Sequence, residues 1–254
     1  MPKKTPCYGI IPARYDSSRF PGKPLAAIAG KPMFWHVYSR AQSCPDIDAV
    51  YLATDDERIA EEARRLEVPL ITTRSDHPSG TDRVFEAASR LKLGERDVVV
   101  NIQGDEPVLN PLMLGELIRP FADPEIAVTT PVRRIDPESA RDQNRVKVVF
   151  SQGGRALYFS RAMIPHPREP GEASFYMHIG MYAFRMAALQ KFVSLPPGRL
   201  ENIEKLEQLR LLENNIPIYT VITEYESLSV DRPEDLDAVL RHLGAPQTQK
   251  PDKL

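Results

Sequence analysis

Val98-Val99-Val100-Asn101-Ile102-Gln103-Gly104-Asp105-Glu106-Pro107 is the stretch on which the fold turns. A continuous apolar run of this length reads as a strand buried on both faces, the habit of parallel sheets covered by helices, whereas alternation would mean a half-exposed strand. The run stops at a glycine and two carboxylates. In open parallel sheets ligands bind in the crevice beyond the carboxyl ends of the strands, so Asp105 stands where a divalent cation could be held against a phosphate. Gly104 lets the backbone turn there.

Upstream, strand-like and helix-like segments alternate. Tyr8 to Ile11 reads as a buried strand, and Pro32 opens a helix from Met33 to Gln42 with Phe34, Val37, Tyr38 and Ala41 at helical spacing. Ala49 to Ala53 is a second strand, and Thr54-Asp55-Asp56 supplies a cap for a helix from Glu57 to Leu66. Val68 to Thr72 is a third strand, and a helix is expected from Val84 to Leu91. Repeated β-α units with near-continuous apolar strands predict an α/β protein with a doubly wound, mostly parallel sheet. Between strand and helix lies Thr73 to Arg83, an eleven-residue polar loop that is either functional or a solvated connection.

After about Ile126 the rhythm becomes antiparallel. Ile126 to Val132 and Val146 to Phe150 read as strands, Ser151 to Gly154 as a turn, and Arg155 to Ser160 as the return of a hairpin. Pro165 to Gly171 reads as a mobile loop, Met177 to Phe184 as a strand carrying His178, and Leu200 to Asn214 as a helix with Ile203, Leu206, Leu209 and Leu212 in a buried stripe. Ile216 to Thr223 returns to strand, and the last helix runs through His242. The expected organisation is one domain over residues 1–244, an inserted antiparallel region at about 133–185, and a disordered tail at 245–254.

Arg14, Arg19 and Lys23 fall among Pro12, Pro21, Gly22 and Pro24, just after the first strand. Cations on a loop stiffened by proline suit a phosphate, because less ordering entropy is lost on binding; the alternative is a solvated basic turn. No Walker A spacing is present. Asp231 precedes the final helix and is either a helix cap or a site residue. With 33 Lys and Arg against 35 Asp and Glu, the chain lacks the basic excess that nucleic-acid binding by bulk charge would need. No apolar run is long enough to span a membrane and the N-terminus lacks a signal-peptide core, so a soluble cytoplasmic protein without membrane insertion is expected. Cys7 and Cys44 have no metal-ligand spacing and read as reduced structural residues.

Taken together, Ile11-Pro-Ala-Arg-Tyr15, Arg19-Phe-Pro-Gly-Lys-Pro-Leu25, Ser79-Gly-Thr-Asp-Arg83, Gln103-Gly-Asp-Glu-Pro107, Val146-Lys-Val-Val149, Tyr158-Phe-Ser-Arg161, His178-Ile-Gly180, Leu206-Glu-Gln-Leu-Arg210 and Val230-Asp231 closely resemble the 3-deoxy-manno-octulosonate (KDO) cytidylyltransferase family. The resemblance runs from about Tyr8 to Leu243. It implies a Rossmann-like nucleotidyltransferase fold with a small antiparallel subdomain for dimerisation and sugar binding. It also implies transfer of CMP from CTP to an eight-carbon 2-keto-3-deoxy sugar acid, with pyrophosphate as co-product, for lipopolysaccharide biosynthesis by a Mg²⁺-dependent homodimer.

By the same resemblance Arg14, Lys23, Asp105 and Asp231 are catalytic, and Asp105 and Asp231 hold Mg²⁺. Pro12, Ala13, Arg14, Arg19, Lys23, Ser79, Gly80 and Thr81 bind CTP. Gln103, Arg161, His178, Glu207 and Gln208 bind the sugar. Departures from the family pattern fall on the sugar side, at Met177, His166-Pro167, Ser229 and Arg232, so an 8-amino derivative or another ulosonic acid is the alternative substrate.

Overall fold

The computed structural model describes residues 5–16, 20–169, 171, 173–226 and 228–244. The expected Arg19 contact and the expected tail at 245–254 lie outside the described residues. In chain order the elements are β1 (Cys7–Pro12), β2 (Ala27–Ile28), β3 (Lys31–Pro32), α1 (Met33–Gln42), β4 (Ala49–Thr54), α2 (Glu57–Arg65), β5 (Leu70–Thr72), α3 (Gly80–Arg90), β6 (Val98–Asn101) and α4 (Pro111–Ile118). They continue as β7 (Val128–Ile135), β8 (Lys147–Phe150), β9 (Ala156–Ser160), β10 (Phe175–His178), β11 (Tyr182–Arg185), α5 (Met186–Ser194), α6 (Arg199–Glu204), α7 (Leu209–Glu213), β12 (Tyr219–Ile222) and α8 (Leu236–His242).

Among the described residues ten strands make one mixed sheet in the order β5-β4-β1-β6-β11-β7-β10-β8-β9, with β12 beside β7. β5, β4, β1 and β6 run parallel. The chain leaves β1 toward β4 and β5 and then returns to place β6 on the other edge of β1, so the strand order reverses between β1 and β6. That reversal opens a crevice at the carboxyl ends of the two strands. From β6 onward pairing is antiparallel through β11, β7, β10, β8 and the β8–β9 hairpin, except that β12 lies parallel to β7. The antiparallel strands therefore extend the same sheet.

Alternate residues of the central strands feed two cores. Ile10 and Val99 join Val84, Ala87, Leu189 and Phe192 of α3 and α5 on one face. Ile11 and Val100 join Phe34 and Val37 of α1 and Met113 and Leu117 of α4 on the other. Val98, Val99 and Val100 are all essentially solvent-free, and each such side chain contributes about 1.5–3 kcal/mol of burial. Helices on both faces make the sheet doubly wound.

Three local expectations need correction. Helix α3 begins at Gly80 and not at Val84, because the Ser79 hydroxyl accepts the Asp82 N–H and caps it; the last four residues of the polar loop, Gly80 to Arg83, are thus a first turn. Strand 177–184 is two strands, since Ile179 to Met181 leave the ladder to let β7 change partner from β10 to β11. The helix expected at 200–214 breaks at Lys205, whose φ of 55° is left-handed, so Ile203 is exposed while Leu206, Leu209 and Leu211 carry the burial.

Candidate active site

The loops after β1 and β6 touch. Ile102 N–H donates to the Ile10 carbonyl at 3.0 Å, and a Cβ built on Gly104 would lie 2.9 Å from the Pro12 carbonyl oxygen and 3.5 Å from Ile11 Cγ2. A backbone oxygen cannot move aside as a side-chain tip can. Gly104→Ala is therefore expected to pry the loops apart and lower stability by about 1–3 kcal/mol, read as a fall in the urea midpoint with an unchanged slope.

A cavity of about 280 Å³ opens at this junction, lined by Pro12, Ala13, Arg14, Lys23, Pro24, His77, Ser79, Gly80, Arg83, Gln103, Gly104, Asp105 and Asp231. Most of the residues expected to bind nucleotide or metal thus come together from five separate segments. Thr81 lines neither this cavity nor the larger one described below, and its hydroxyl donates to Glu207 Oε1 at 2.7 Å.

Local bonds hold the basic loop in place. Gly22, with φ of 71°, takes the left-handed conformation that glycine tolerates, and its N–H donates to the Tyr15 carbonyl at 2.9 Å. The Arg58 guanidinium lies over the Tyr15 ring and is fixed by Asp56. Lys23 Nζ donates to Asp105 Oδ2 at 2.7 Å and to the Val230 carbonyl at 2.6 Å, and stands 3.6 Å from Asp231 Oδ1. Val230 N–H in turn donates to the Asp105 carbonyl at 2.9 Å. The N-terminus of the last helical segment is capped by Asp235, whose Oδ2 accepts from the Asp231 and Arg232 N–H groups at 2.8 Å. Asp231 is thus held through its own N–H by Asp235, and its carboxylate lies 3.6 Å from Lys23 Nζ.

Two carboxylates directed at one positive centre are a donor set that fits Mg²⁺. This hard cation takes one or two protein carboxylates and completes its shell with water and phosphate oxygens. Among the described residues no group of three or more His, Cys, Asp or Glu side chains could form an all-protein metal cage.

Sequence reasoning missed two further residues of this wall. Arg83 is buried and its Nη1 donates to Thr73 Oγ1 and pairs with Asp55, at 2.5 and 2.6 Å. His77 has its Nε2 2.5 Å from Glu86 Oε2. Glu86 also accepts from the Arg74 N–H and from Arg90; although burial opposes the charge, these bonds hold the carboxyl down at about 2. Charged residues inside a nominally polar loop were the available signal.

A second cavity, of about 1030 Å³, lies beside the first. Glu106, His178, Gly180, Tyr182, Glu207 and Gln208 are among the residues that line it, as are Arg133, Arg134, Arg145 and Lys205. The turn Gln103–Glu106 is common to both cavities, and Gln103 Nε2 donates to the Gly180 carbonyl at 2.6 Å. His178, Glu207 and Gln208 are brought together here, while Gln103 lines the small cavity and reaches the wall of the large one only through Gly180. Arg161 is not: its Nε donates to the Glu204 carbonyl at 2.9 Å and its Nη1 to that of Gln143 at 3.2 Å, and it lines neither cavity.

Burial dominates the electrostatics of the larger cavity. It holds the His178 imidazole down at about 3, so the ring is neutral at ordinary pH, with Nε2 2.9 Å from Thr130 Oγ1. Burial pushes the Glu207 carboxyl up. The Tyr182 hydroxyl is raised well above its ordinary value, by burial first and by the Glu207 charge second. Tyr182 Oη and Gln208 Nε2 are buried without a hydrogen-bond partner among the described residues. Unpaired buried polar atoms are costly, and a ligand with hydroxyl groups would satisfy these two. The expected set did not include Tyr182, whose place in an apolar strand concealed it.

Cations at the end of two parallel strands, facing two carboxylates at a topological switch point, define a nucleotide-handling α/β protein. The chain belongs to the cytidylyltransferase family, whose description matches residues 8–221. It is 62% identical over 238 residues to a 3-deoxy-manno-octulosonate cytidylyltransferase of Oleidesulfovibrio alaskensis, covering 93% of this chain and 96% of that one. It is 45% identical to an 8-amino-3,8-dideoxy-manno-octulosonate cytidylyltransferase of Shewanella halifaxensis, over 89% of this chain and 94% of that one. A solved structure of CMP:2-keto-3-deoxy-manno-octonic acid synthetase complexed with CTP superposes with a TM-score of 0.90 at 39% identity, covering 94% of this chain and 99% of that chain.

Proposed function

We propose that the chain transfers CMP from CTP to the anomeric hydroxyl of KDO and releases pyrophosphate. The observation that carries this reading is the shared turn: Gln103, Gly104 and Asp105 line the small cavity while Glu106 lines the large one. Two substrates held on either side of one turn present their reacting atoms to each other, which replaces a bimolecular encounter by a positioned one. The 62% identical relative favours KDO over its 8-amino analogue, whose named relative stands at 45%.

In this reading the nucleotide occupies the small cavity. Backbone groups at Pro12 and Ala13 and at Ser79 and Gly80, where α3 begins, read the cytosine and ribose, while Thr81 faces Glu207 instead, and Arg14 and Lys23, with Arg19, neutralise the β- and γ-phosphates. Asp105 and Asp231 would hold Mg²⁺, which supplies charge neutralisation at the phosphates when bound. The sugar acid lies in the large cavity against Gln103, Tyr182, Glu207, Gln208 and a neutral His178, and Arg161 positions the Glu204 turn behind them. The C2 hydroxyl oxygen forms a bond to the α-phosphorus as the bond to the bridging oxygen breaks and pyrophosphate leaves, and the hydroxyl proton passes to solvent. No covalent bond to the protein is formed. Positioning and charge neutralisation carry the rate.

A site built on cytosine's amino group and its acceptors leaves groups unpaired against uracil, at about 1–3 kcal/mol each. Pyrophosphate release with KDO should favour CTP over UTP by at least about tenfold in kcat/KM, and ATP should be inactive. Equal rates with CTP and UTP would overturn the base assignment.

Tyr182→Phe should raise the KM for the sugar acid about threefold to tenfold, the worth of one hydrogen bond, and leave the KM for CTP unchanged. Steady-state kinetics with each substrate varied in turn checks this, and an effect on CTP alone would contradict the placement.

We also read the protein as a cytoplasmic homodimer serving lipopolysaccharide synthesis. No helix among the described residues is long and apolar enough to cross a membrane. Leu157 is 60% exposed on β9, the edge strand of the sheet, and an apolar sheet edge invites a partner. Light scattering at micromolar concentration should give the mass of two chains; the mass of one would count against the dimer.

A further inference from the structure

Lys23 occupies the ground that the two aspartates would offer a metal. Two carboxylate oxygens and one carbonyl oxygen, from Asp105, Asp231 and Val230, surround its ammonium at 2.7, 3.6 and 2.6 Å. The Lys23 side chain is 16% exposed and Asp105 27%, so that pairing is weakly screened by solvent, while Asp231 is half exposed. A divalent cation bound to the same oxygens would stand a few ångströms from the ammonium, where like charges repel strongly. Lysine is a point charge on a flexible stem, and it can exchange one set of anionic oxygens for another by rotation of its side chain. Arg14 lines the same cavity and supplies a second cation toward a triphosphate.

We infer that Lys23 is an internal stand-in for the metal: in the nucleotide-free protein its ammonium bridges Asp105 and Asp231, and an arriving triphosphate draws it away and opens the pair to a divalent cation. The inference rests on the reading that these two aspartates hold Mg²⁺. Nucleotide and metal then bind with positive coupling, because each removes an obstacle to the other. Without nucleotide the carboxylates stay paired, and a free divalent cation finds no open site.

The test is Mn²⁺ binding to nucleotide-free protein, followed by loss of the free-ion electron paramagnetic resonance signal. Lys23→Met should bind Mn²⁺ at least about tenfold more tightly than the natural protein. Lys23→Arg, which keeps the charge, should stay weak. Arg14→Met, which removes a charge from the same cavity without exposing the aspartates, should change affinity little. Lys23→Gln repeats the measurement if the methionine variant does not fold. Unchanged affinity in Lys23→Met, or an equal gain in Arg14→Met, would overturn the inference. The metal reading is tested separately: Asp105→Asn should weaken Mn²⁺ binding to the CTP-loaded protein and cancel any gain in Lys23→Met. If it does the first when Lys23→Met shows no gain, the aspartates bind metal without a lysine stand-in. If it does neither, the metal reading itself fails.

Discussion

Asp105→Asn is expected to lower turnover by at least about a thousandfold while leaving a folded protein, because it removes charge at the metal position without changing side-chain size. Asp231→Asn should do the same. Each carboxylate faces Lys23 Nζ, at 2.7 and 3.6 Å, and neither belongs to the hydrophobic clusters that hold the sheet and helices together. The loss should therefore appear in kcat and not in the cooperativity of unfolding. Undiminished turnover of Asp105→Asn at saturating Mg²⁺ would remove the metal assignment.

Arg14→Ala is expected to lose about 2–4 kcal/mol of transition-state stabilisation, about a thirtyfold to thousandfold fall in kcat/KM for CTP. Arg14 is exposed at the rim of the small cavity, in the loop that leaves β1, so its removal leaves no buried partner unpaired and the effect reports on ligand alone. Lys23→Ala should cost as much at the triphosphate, and the loss of its bonds to Asp105 and Val230 should show separately as lower folding stability. If either variant raised only the KM for the sugar acid and treated CTP normally, the basic loop would belong to the other substrate.

The parallel half of the fold was legible because its signals are local. Val98 to Val100 is apolar without interruption, and Asp56 caps α2 by accepting from the Arg58 and Ile59 N–H groups, as a carboxylate just ahead of an amphipathic segment should. Helix α4 was not read from the sequence, although it carries a cap and a first-turn proline, Asn110 accepting the Leu112 N–H ahead of Pro111. The break at Lys205 was not legible. An amphipathic stripe from Ile203 to Leu212 predicts one helix, and only the tertiary demand that Glu207 and Gln208 face the large cavity explains the left-handed residue between two shorter ones.

The site was legible where residues follow strand ends and hidden where they come from the antiparallel region. Arg14, Lys23 and Asp105 each lie in a loop that sequence pattern places at the carboxyl end of a parallel strand. Tyr182 and the cations Arg133, Arg134 and Arg145 depend on how β7, β10 and β11 share an edge, which no periodicity reveals. Arg161 shows the converse. The family resemblance implied that it binds the sugar, and the fold ties its guanidinium to two backbone carbonyls instead.

The most direct measurement is pyrophosphate release on mixing the protein with CTP and Mg²⁺ and either KDO or its 8-amino analogue, with the nucleotide product isolated. The account predicts release that requires a sugar acid, a product in which CMP is joined through the C2 oxygen, and a kcat/KM for KDO at least about tenfold above that for the analogue. No pyrophosphate with KDO, or faster release with the 8-amino sugar, would contradict it.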